Sequence, residues 1–214
     1  MADVYDCTDD EQRAAGITAA AAALSRGELV LLPTDTVYGV AADAFTPEAV
    51  ARLLAAKNRG RNMPVPVLIA EASTLAGLVT VVPPDAHALA REFWPGGLTL
   101  VLEHTPTLSW DLGESQGTVA VRLPDDDVTR ELLRRTGPLA VSSANRSGRP
   151  AATSAAQADY QLGEHAAVVL DDGPREVGAP STIVDCTGDH PGCCGSGPSR
   201  STGSARSSPP SPTR

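Results

Sequence analysis

Aromatic residues are scarce in this chain: they make up 3% of its 214 residues, although 42% of the residues are hydrophobic. The core must therefore be built from Ala, Val and Leu. Cysteine is also sparse, with four residues that form no C-x-x-C pair, and the four histidines are scattered. These spacings argue against a zinc site or a disulfide framework. A chain of this length fits one globular domain with a core of its own.

Long apolar runs are absent too, since none approaches the roughly 20 residues that a membrane-spanning helix needs. The stretch "MADVYDCTDDEQ" at the start is acidic and has no apolar segment of the signal-peptide type. A formal charge of −9 argues against a broad basic surface for nucleic acid. We therefore expect a cytoplasmic protein with reduced thiols and no membrane partner, in which any RNA contact needs a local basic patch.

Helical and strand patterns alternate up to residue 187. Helices are predicted at residues 8–27, 46–58, 83–94, 125–137 and 153–163. Strands are predicted at residues 28–33, 65–70, 97–103, 117–124, 138–143, 166–171 and 181–186. A loop alone separates the third and fourth of these strands, so the sheet mixes parallel and antiparallel pairs. The alternation predicts a layered α/β architecture with helices packed over a central sheet.

The composition changes after Thr187. Gly, Ser and Pro account for 17 of the 27 residues from 188 to 214, and no Leu, Ile, Val or Phe occurs there. Such a segment cannot bury enough apolar surface to offset the entropy lost on ordering. We therefore predict one domain over residues 1–187 and a disordered tail over residues 188–214.

Three cations follow a predicted helix end within five residues: Lys57, Arg59 and Arg61. Cations there interact favourably with the last carbonyls and the helix dipole, which accounts for one or two of them. All three would repel one another unless an anion lies between them, and an Arg fork binds phosphate or carboxylate. The residues alone leave a solvated basic turn and an anion site as equal alternatives.

Three polar stretches are ambiguous when each is taken alone. "PTDTVYG", residues 33–39, follows a strand, where α/β proteins collect ligands, but a simple turn held by its side chains fits equally. "TVAVRLP" places Arg122 on an otherwise apolar strand, either at an exposed rim or buried beside an anion. "VSSANRSG", residues 141–148, suits contacts to a ribose or phosphate, or a Ser/Asn turn.

The known phosphate-binding loops and nucleophile motifs are missing. The sequence has no G-x-x-x-x-G-K-[ST] loop and no G-x-G-x-x-G loop. It has no G-x-S-x-G elbow with a histidine placed for serine hydrolysis either. A nucleotide, if bound, is therefore held by some other arrangement.

Taken in order, six stretches resemble the successive signature blocks of the YrdC-like family of threonylcarbamoyl-AMP synthases. The stretches are "PTDTVYGVAADA", "KNRGRNMPVPVLI", "FWPGGLTLVL", "TVAVRLPD", "SSANRSGRP" and "PSTIVD". The resemblance runs from about residue 24 to residue 187. It implies a three-layer α/β fold, in which a twisted mixed parallel/antiparallel sheet is flanked by helices and carries a concave basic pocket.

The resemblance also implies an activity. Enzymes of this family combine L-threonine, bicarbonate and ATP, with Mg²⁺ expected, into threonylcarbamoyl-AMP and pyrophosphate. A separate transferase then moves the threonylcarbamoyl group to tRNA beside the anticodon. The alternatives are a non-catalytic module of the same fold that binds double-stranded RNA or tRNA, and a carbamoyl-adenylate enzyme with another acceptor.

The resemblance assigns roles to ten residues of this sequence and implies neither a protein-bound metal nor a side-chain nucleophile. The catalytic pair is Lys57 and Arg59. The ATP-binding residues are Lys57, Arg61, Thr118, Ser143 and Asn145. The L-threonine-binding residues are Thr34, Tyr38, Arg122 and Ser181. One departure concerns the strand after the cationic loop, which often carries a histidine in the family and reads "PVPVLI" here.

A second departure concerns the tail. Family members generally end in a strand of the type R-V-L-R-x-G, whose second Arg reaches ATP, whereas this chain reads "PGCCGSGPSR" from Pro191. A frame displaced to the third base of the Pro191 codon permits Arg-Val-Leu-Arg-Leu-Gly-Ala-Val-Ser. The tail is thus either a frameshifted family segment or a genuine disordered extension, and the gene's nucleotide sequence decides. A frameshift would remove one ATP contact and a sheet element, which would reduce ATP affinity or stability or leave no activity.

Overall fold

The computed structural model describes residues 2–175, 181–188 and 190–195. These residues form ten strands, six α-helices and two 3₁₀ turns. The strands are β1 (Asp3–Asp6), β2 (Leu29–Leu32), β3 (Gly39–Asp43), β4 (Val67–Leu68), β5 (Leu98–Glu103), β6 (Thr118–Arg122), β7 (Leu139–Ser143), β8 (Ala166–Asp171), β9 (Thr182–Asp185) and β10 (Gly192–Gly195). The helices are α1 (Asp10–Ser25), α2 (Pro47–Ala56), α3 (Leu75–Leu78), α4 (Pro84–Phe93), α5 (Asp127–Thr136) and α6 (Ala155–Leu162).

All ten strands belong to one sheet, in the order β1-β8-β2-β3-β7-β4-β6-β5-β9-β10. Parallel pairs join β1 to β8, β8 to β2, β4 to β6 and β5 to β9, and the other pairs are antiparallel. The predicted mixed α/β sheet is therefore confirmed. The central strands carry almost continuous apolar sequences, because helices cover them on both faces.

The core consists of two clusters, one on each face of the sheet. The larger cluster packs α2, α3, α4 and α6 against one face. The smaller cluster packs α1 and α5 against the other face, mainly over β8, β2, β3 and β7. On this second face, Val101 of β5 and Ala120 of β6 are partly exposed. The half of the second face beyond β4 is thus left open, and the candidate site lies at its edge.

Strands β1, β3 and β10 and helix α3 are absent from the sequence prediction. Strand β3 reads "GVAAD", and Gly, Ala and Asp are poor strand formers on their own. It forms because it pairs with β2 and β7 on its two sides. The predicted strand at residues 65–70 shortens to Val67–Leu68. For β3, the neighbouring backbone and not local preference decides the structure.

Residues 192–195, which lie beyond the predicted domain boundary at residue 187, form a strand, and the boundary itself stays a prediction. These residues form β10, which pairs antiparallel with β9 through Gly192 opposite Asp185 and Cys193 opposite Val184. Backbone pairing at a sheet edge needs no apolar side chain, so the composition gave no sign of it. The rest of the predicted tail, residues 196–214, lies outside the described residues, and the frameshift hypothesis stays a prediction. No helix in the described ranges has both the length and the hydropathy to cross a membrane.

Candidate functional site

The cationic loop begins where α2 ends. Lys57 is the C-cap residue, and Asn58 follows with a φ of 53° in the left-handed region. The amide of Asn58 donates to the Ala55 carbonyl, and the amide of Arg59 donates to the Leu54 carbonyl. These are the two hydrogen bonds of a Schellman motif, for which Asn is a favoured residue at the left-handed position. The sequence Lys-Asn-Arg therefore turns the chain sharply and sends Lys57 and Arg59 toward the sheet.

Lys57 is buried, and its ammonium group binds the loop that follows β7. The Nζ donates to the carbonyl oxygens of Ser143 and Asn145, the latter at 2.8 Å, and to Oδ1 of Asn145 at 3.3 Å. These three contacts account for all three of its N–H groups. Burial lowers the pKa of Lys57 to about 8, and the nearby Arg59 cation adds to the shift. Lys57 thus ties the cationic loop to the Ser-Ala-Asn loop.

Arg59 is half-buried and reaches the end of β7 from the other side. Its Nη1 donates to Oγ of Ser142 at 3.1 Å. Its Nε and Nη2 donate to the carbonyl oxygens of Met63 and Pro64 within its own loop. Burial lowers the pKa of this guanidinium, but an Arg remains charged at any physiological pH. Arg59 therefore presents a fixed cation beside Ser142 without a carboxylate partner among these contacts.

Arg122 lies at the floor of the adjoining cavity and is 6% exposed. Its Nη2 is 2.5 Å from Oδ1 of Asp35, its Nη1 donates to Oγ1 of Thr36 at 3.0 Å, and its Nε donates to the carbonyl of Gly96 at 3.0 Å. Burial lowers the pKa of the guanidinium, and Asp35 opposes that shift. Of the two readings left open for this residue, the buried one with an anionic partner is therefore correct.

The "PTDTVYG" stretch forms a compact turn above Arg122. Oγ1 of Thr34 donates to the Val37 carbonyl at 2.6 Å and lies 3.1 Å from Oγ1 of Thr36. The Tyr38 hydroxyl points away from this turn, because it donates to the Gly173 carbonyl at 2.7 Å and accepts from the Asp172 amide at 3.2 Å. Burial raises the pKa of Tyr38 to about 12. The turn therefore offers threonine hydroxyls to the cavity, while the phenol group anchors the end of β8.

Two further hydroxyls meet beside Arg122, on the β5 side of the cavity. Oγ1 of Thr99 on β5 lies 2.9 Å from Oγ of Ser181. Together these groups enclose a cavity of about 210 Å³. It is lined by Thr34, Thr36, Val37, Tyr38, Gly39, Arg59, Pro66, Leu68, Thr99, Arg122, Val141, Ser142, Ser143, Ser181 and Ile183. The lining combines two cations with seven hydroxyl-bearing side chains, and it can hold a small anionic or zwitterionic molecule.

Most of the ten predicted site residues meet at this cavity. Six of them line it: Thr34, Tyr38, Arg59, Arg122, Ser143 and Ser181. Lys57 and Asn145 do not line the cavity but lie directly behind Ser143, which forms part of its wall. Hydrogen bonds join both residues to Ser143.

Arg61 and Thr118 lie outside the lining. Arg61 is 54% exposed and forms an ion pair with Asp111 at 2.8 Å. Thr118 donates to the carbonyl of Ser115 at 2.7 Å. It shares a sheet face with Arg122 but is four residues away, about 13 Å at the usual rise of a strand. A ligand that contacts both Arg122 and Thr118 would have to extend along the open face of the sheet.

Sequence reasoning missed Thr99, Thr36 and Asp35 as functional candidates. Thr99 is the lone polar residue within the apolar strand "LTLVL", which is the same signal that singled out Arg122. The local sequence marks Asp35 only as a turn residue, because nothing local links it to an Arg 87 positions away. In this protein, a polar residue on an otherwise apolar strand contacts a polar loop residue that is distant in the sequence.

A wider groove of about 810 Å³ lies beside α6 and is bordered by Arg149 and the exposed Tyr160. None of the ten predicted residues lines it, and its charged groups are solvated, so we assign the site to the smaller cavity. Within the described ranges no group of three or more His, Cys, Asp or Glu side chains could hold a metal ion.

Comparisons with known proteins agree with the geometry. The family model that groups Sua5, YciO and YrdC, described as telomere recombination, matches residues 22–194. A Mycobacterium tuberculosis protein provisionally named a threonylcarbamoyl-AMP synthase is 54% identical over 198 residues, which cover 92% of this chain and 91% of that protein. The threonylcarbamoyl-AMP synthase of Bacillus subtilis is 40% identical over 186 residues, which cover 86% of this chain and 53% of the relative.

Solved structures show the same fold. Pyrococcus abyssi Sua5 complexed with L-threonine matches with a TM-score of 0.84 at 33% identity, over 92% of this chain and 57% of that one. Escherichia coli YciO matches with a TM-score of 0.82 at 21% identity, over 92% and 96% of the two chains. This chain therefore spans nearly the full length of the mycobacterial relative and of YciO, and about half the length of the B. subtilis relative and Sua5.

Proposed function

Because the chain belongs to the Sua5/YciO/YrdC family, we propose that it is a threonylcarbamoyl-AMP synthase, which joins L-threonine, bicarbonate and ATP and releases pyrophosphate. The observation that carries the proposal is the buried guanidinium of Arg122 at the floor of a hydroxyl-lined cavity that also contains Arg59. A buried Arg with N–H groups left over is suited to a carboxylate. The cavity fits an amino acid in size and chemistry.

In the proposed site, the threonine carboxylate binds Arg122. The hydroxyls of Thr34 and Ser181 line the same cavity and would contact the polar groups of the amino acid. Tyr38 would act through its position in the wall, since its own hydroxyl already bonds to residues 172 and 173. This arrangement assigns the amino-acid half of the reaction to the part of the cavity between β4 and β9.

The nucleotide half of the proposed site lies toward the cationic loop. Arg59 would face the triphosphate directly, and Arg61 would join it after leaving Asp111. Lys57 would act from behind the wall, by fixing the loop that carries Ser143 and Asn145. Thr118 would contact the far end of the nucleotide along β6.

The proposed chemistry requires alignment and charge neutralisation more than a covalent group. The threonine amine takes up CO₂ as a carbamate, a carbamate oxygen attacks the α-phosphorus, and pyrophosphate leaves. Fixed cations stabilise the charge that develops on the phosphates. ATP would enter as its Mg²⁺ complex. No side-chain nucleophile takes part, so no covalent nucleotidyl-enzyme should form.

The product would pass to a separate transferase that modifies tRNA beside the anticodon, which implies a cytoplasmic protein. The alternative, a non-catalytic RNA-binding module, is less favoured for two reasons. A cavity of about 210 Å³ suits a small molecule, and a formal charge of −9 opposes salt-driven binding to RNA.

Pyrophosphate release from ATP tests the proposal, measured with and without L-threonine and with and without bicarbonate. We expect release only when all three substrates are present. Arg122→Ala should abolish it, whereas Arg26→Ala, which removes a 59%-exposed guanidinium that does not line the cavity, should not. Release that ignores threonine, or a trapped nucleotidyl-enzyme, would contradict the proposed reaction. RNA retention without turnover would favour the alternative.

A further inference from the structure

Four side chains form one row across the open face of the sheet at the cavity floor. The strand registers place Leu68 beside Arg122, Arg122 beside Thr99, and Thr99 beside Ile183. Residues directly paired across strands point to the same face, and adjacent strands lie about 5 Å apart. All four residues line the cavity. The row therefore reads apolar, cationic, hydroxyl, apolar from β4 to β9.

The two neighbours of Arg122 in this row differ in chemistry. On the β5 side, Thr99 is 2% exposed and its hydroxyl contacts Ser181 at 2.9 Å. On the β4 side, Leu68 is 4% exposed and offers only methyl groups. Hydrogen bonding is therefore available on one side of the cation, and apolar packing is available on the other.

We infer that Leu68 is the residue that selects threonine over serine, a conclusion that rests on the proposed function. With the amino acid's carboxylate on Arg122, its Cβ lies over the same row. The Cβ of threonine carries a hydroxyl and a methyl group that point in different directions. Placing the hydroxyl toward Thr99 and Ser181 turns the methyl toward Leu68. Serine satisfies the first contact and leaves the second empty.

Packing of one methyl group is enough to give measurable selectivity. A missing methylene in an apolar pocket typically costs about 10- to 200-fold in discrimination. Truncation of Leu68 removes the surface against which the methyl packs, so threonine loses affinity. Serine has no methyl group there and should be nearly unaffected. The ratio of the two affinities, and not the affinity of either amino acid alone, reports on this contact.

Val67 provides a matched control on the same strand. It is fully buried, but it points to the opposite face of the sheet and packs in the larger core cluster. Val67→Ala and Leu68→Ala both remove buried methyl groups from β4, so both should lower the midpoint of thermal unfolding. A purely structural role of Leu68 would give the two variants the same amino-acid selectivity. Leu68→Met keeps an apolar side chain of similar volume and should therefore keep the preference.

The test is isothermal titration of L-threonine and L-serine into the native chain and the three variants. We expect native and Val67→Ala proteins to prefer threonine by at least about tenfold, Leu68→Met to retain most of that preference, and Leu68→Ala to lose most of it.

Equal binding of the two amino acids by the native chain overturns the inference, as does an unchanged ratio in Leu68→Ala or a lost ratio in Val67→Ala. If Leu68→Ala does not fold, Leu68→Val, which shortens the side chain, takes its place: a lowered threonine-to-serine ratio supports the inference and an unchanged ratio overturns it. Because binding is measured without ATP, failure of the proposed reaction would appear separately, in the pyrophosphate assay.

Discussion

Arg122 and Asp35 form a buried ion pair, with Nη2 and Oδ1 at 2.5 Å and side chains that are 8% and 16% exposed. The pair joins strand β6 to the turn after β2, although the two residues are 87 positions apart in the chain. Two further hydrogen bonds, to Thr36 and Gly96, fix the guanidinium plane. The orientation of Arg122 is therefore set before any ligand arrives.

Removal of the Asp35 carboxylate should destabilise the protein. Asp35→Ala leaves the Arg122 cation buried without its anion, and breaking a buried pair in this way costs about 3 kcal/mol in the free energy of unfolding. Asp111→Ala breaks the exposed pair with Arg61 and should change the free energy of unfolding far less. Urea denaturation of the two variants checks this difference. Equal losses would show that Asp35 does not stabilise Arg122.

Activity should decline with rising pH through the titration of Lys57. Below its pKa of about 8 the ammonium donates to three oxygens, and above that pH it has only two N–H groups to offer. The loop of Ser143 and Asn145 then loses a contact, so pyrophosphate release should fall as the pH passes about 8. Deprotonation of the threonine amine acts in the opposite direction, because it favours the carbamate.

The fold itself should not weaken from this titration. The pKa of Lys57 is lower in the folded state than its ordinary value of 10.5, so the unfolded state holds the proton longer. The contribution of Lys57 to stability therefore rises between about pH 8 and pH 10.5. Lys57→Arg, which stays charged, should move the decline in activity to higher pH. An identical decline in native and Lys57→Arg proteins would assign it to another group.

Asp111 should compete with ATP for Arg61. Asp111→Asn frees the guanidinium, so we expect the KM for ATP to fall about two- to fourfold at low salt and less at high salt. Glu28→Gln is the matched control, because it breaks the similarly exposed pair with Arg26 on the surface. An unchanged or higher KM for ATP in Asp111→Asn would mean that Arg61 does not move to the nucleotide.

Tyr38→Phe should affect stability more than threonine binding. The lost hydroxyl leaves the Gly173 carbonyl and the Asp172 amide without this partner, at a cost of about 1–3 kcal/mol. Affinity for threonine should change less than twofold, because the hydroxyl points away from the Thr34 turn. Tyr160→Phe, at an 89%-exposed tyrosine, should change neither quantity. A large loss of threonine affinity with unchanged stability would place the phenol in the binding site.

The sequence alone predicted most of the elements, because their patterns are local. The Thr-Pro start of α2, the acidic start and basic end of α5, and the apolar runs of β2, β5 and β8 all lie where the residues indicate. Strand β3, with its Gly and Ala residues, could not be predicted, since it depends on backbone pairing with strands far away in the chain. Strand β10 could not be predicted either, because it depends on backbone pairing with β9.

For the site, the sequence by itself determined the residue types and their order, and through the family resemblance the reaction. It also determined the turn after α2, since Asn58 suits the left-handed position that sends Lys57 and Arg59 inward. Only the tertiary structure decided which of these cations face the cavity. Lys57 lies behind a wall, Arg61 pairs with Asp111, and Arg122 is held by Asp35. Those partners are 50 to 87 positions apart in the chain. Burial and pairing of charges depend on such distant contacts, which no local pattern encodes.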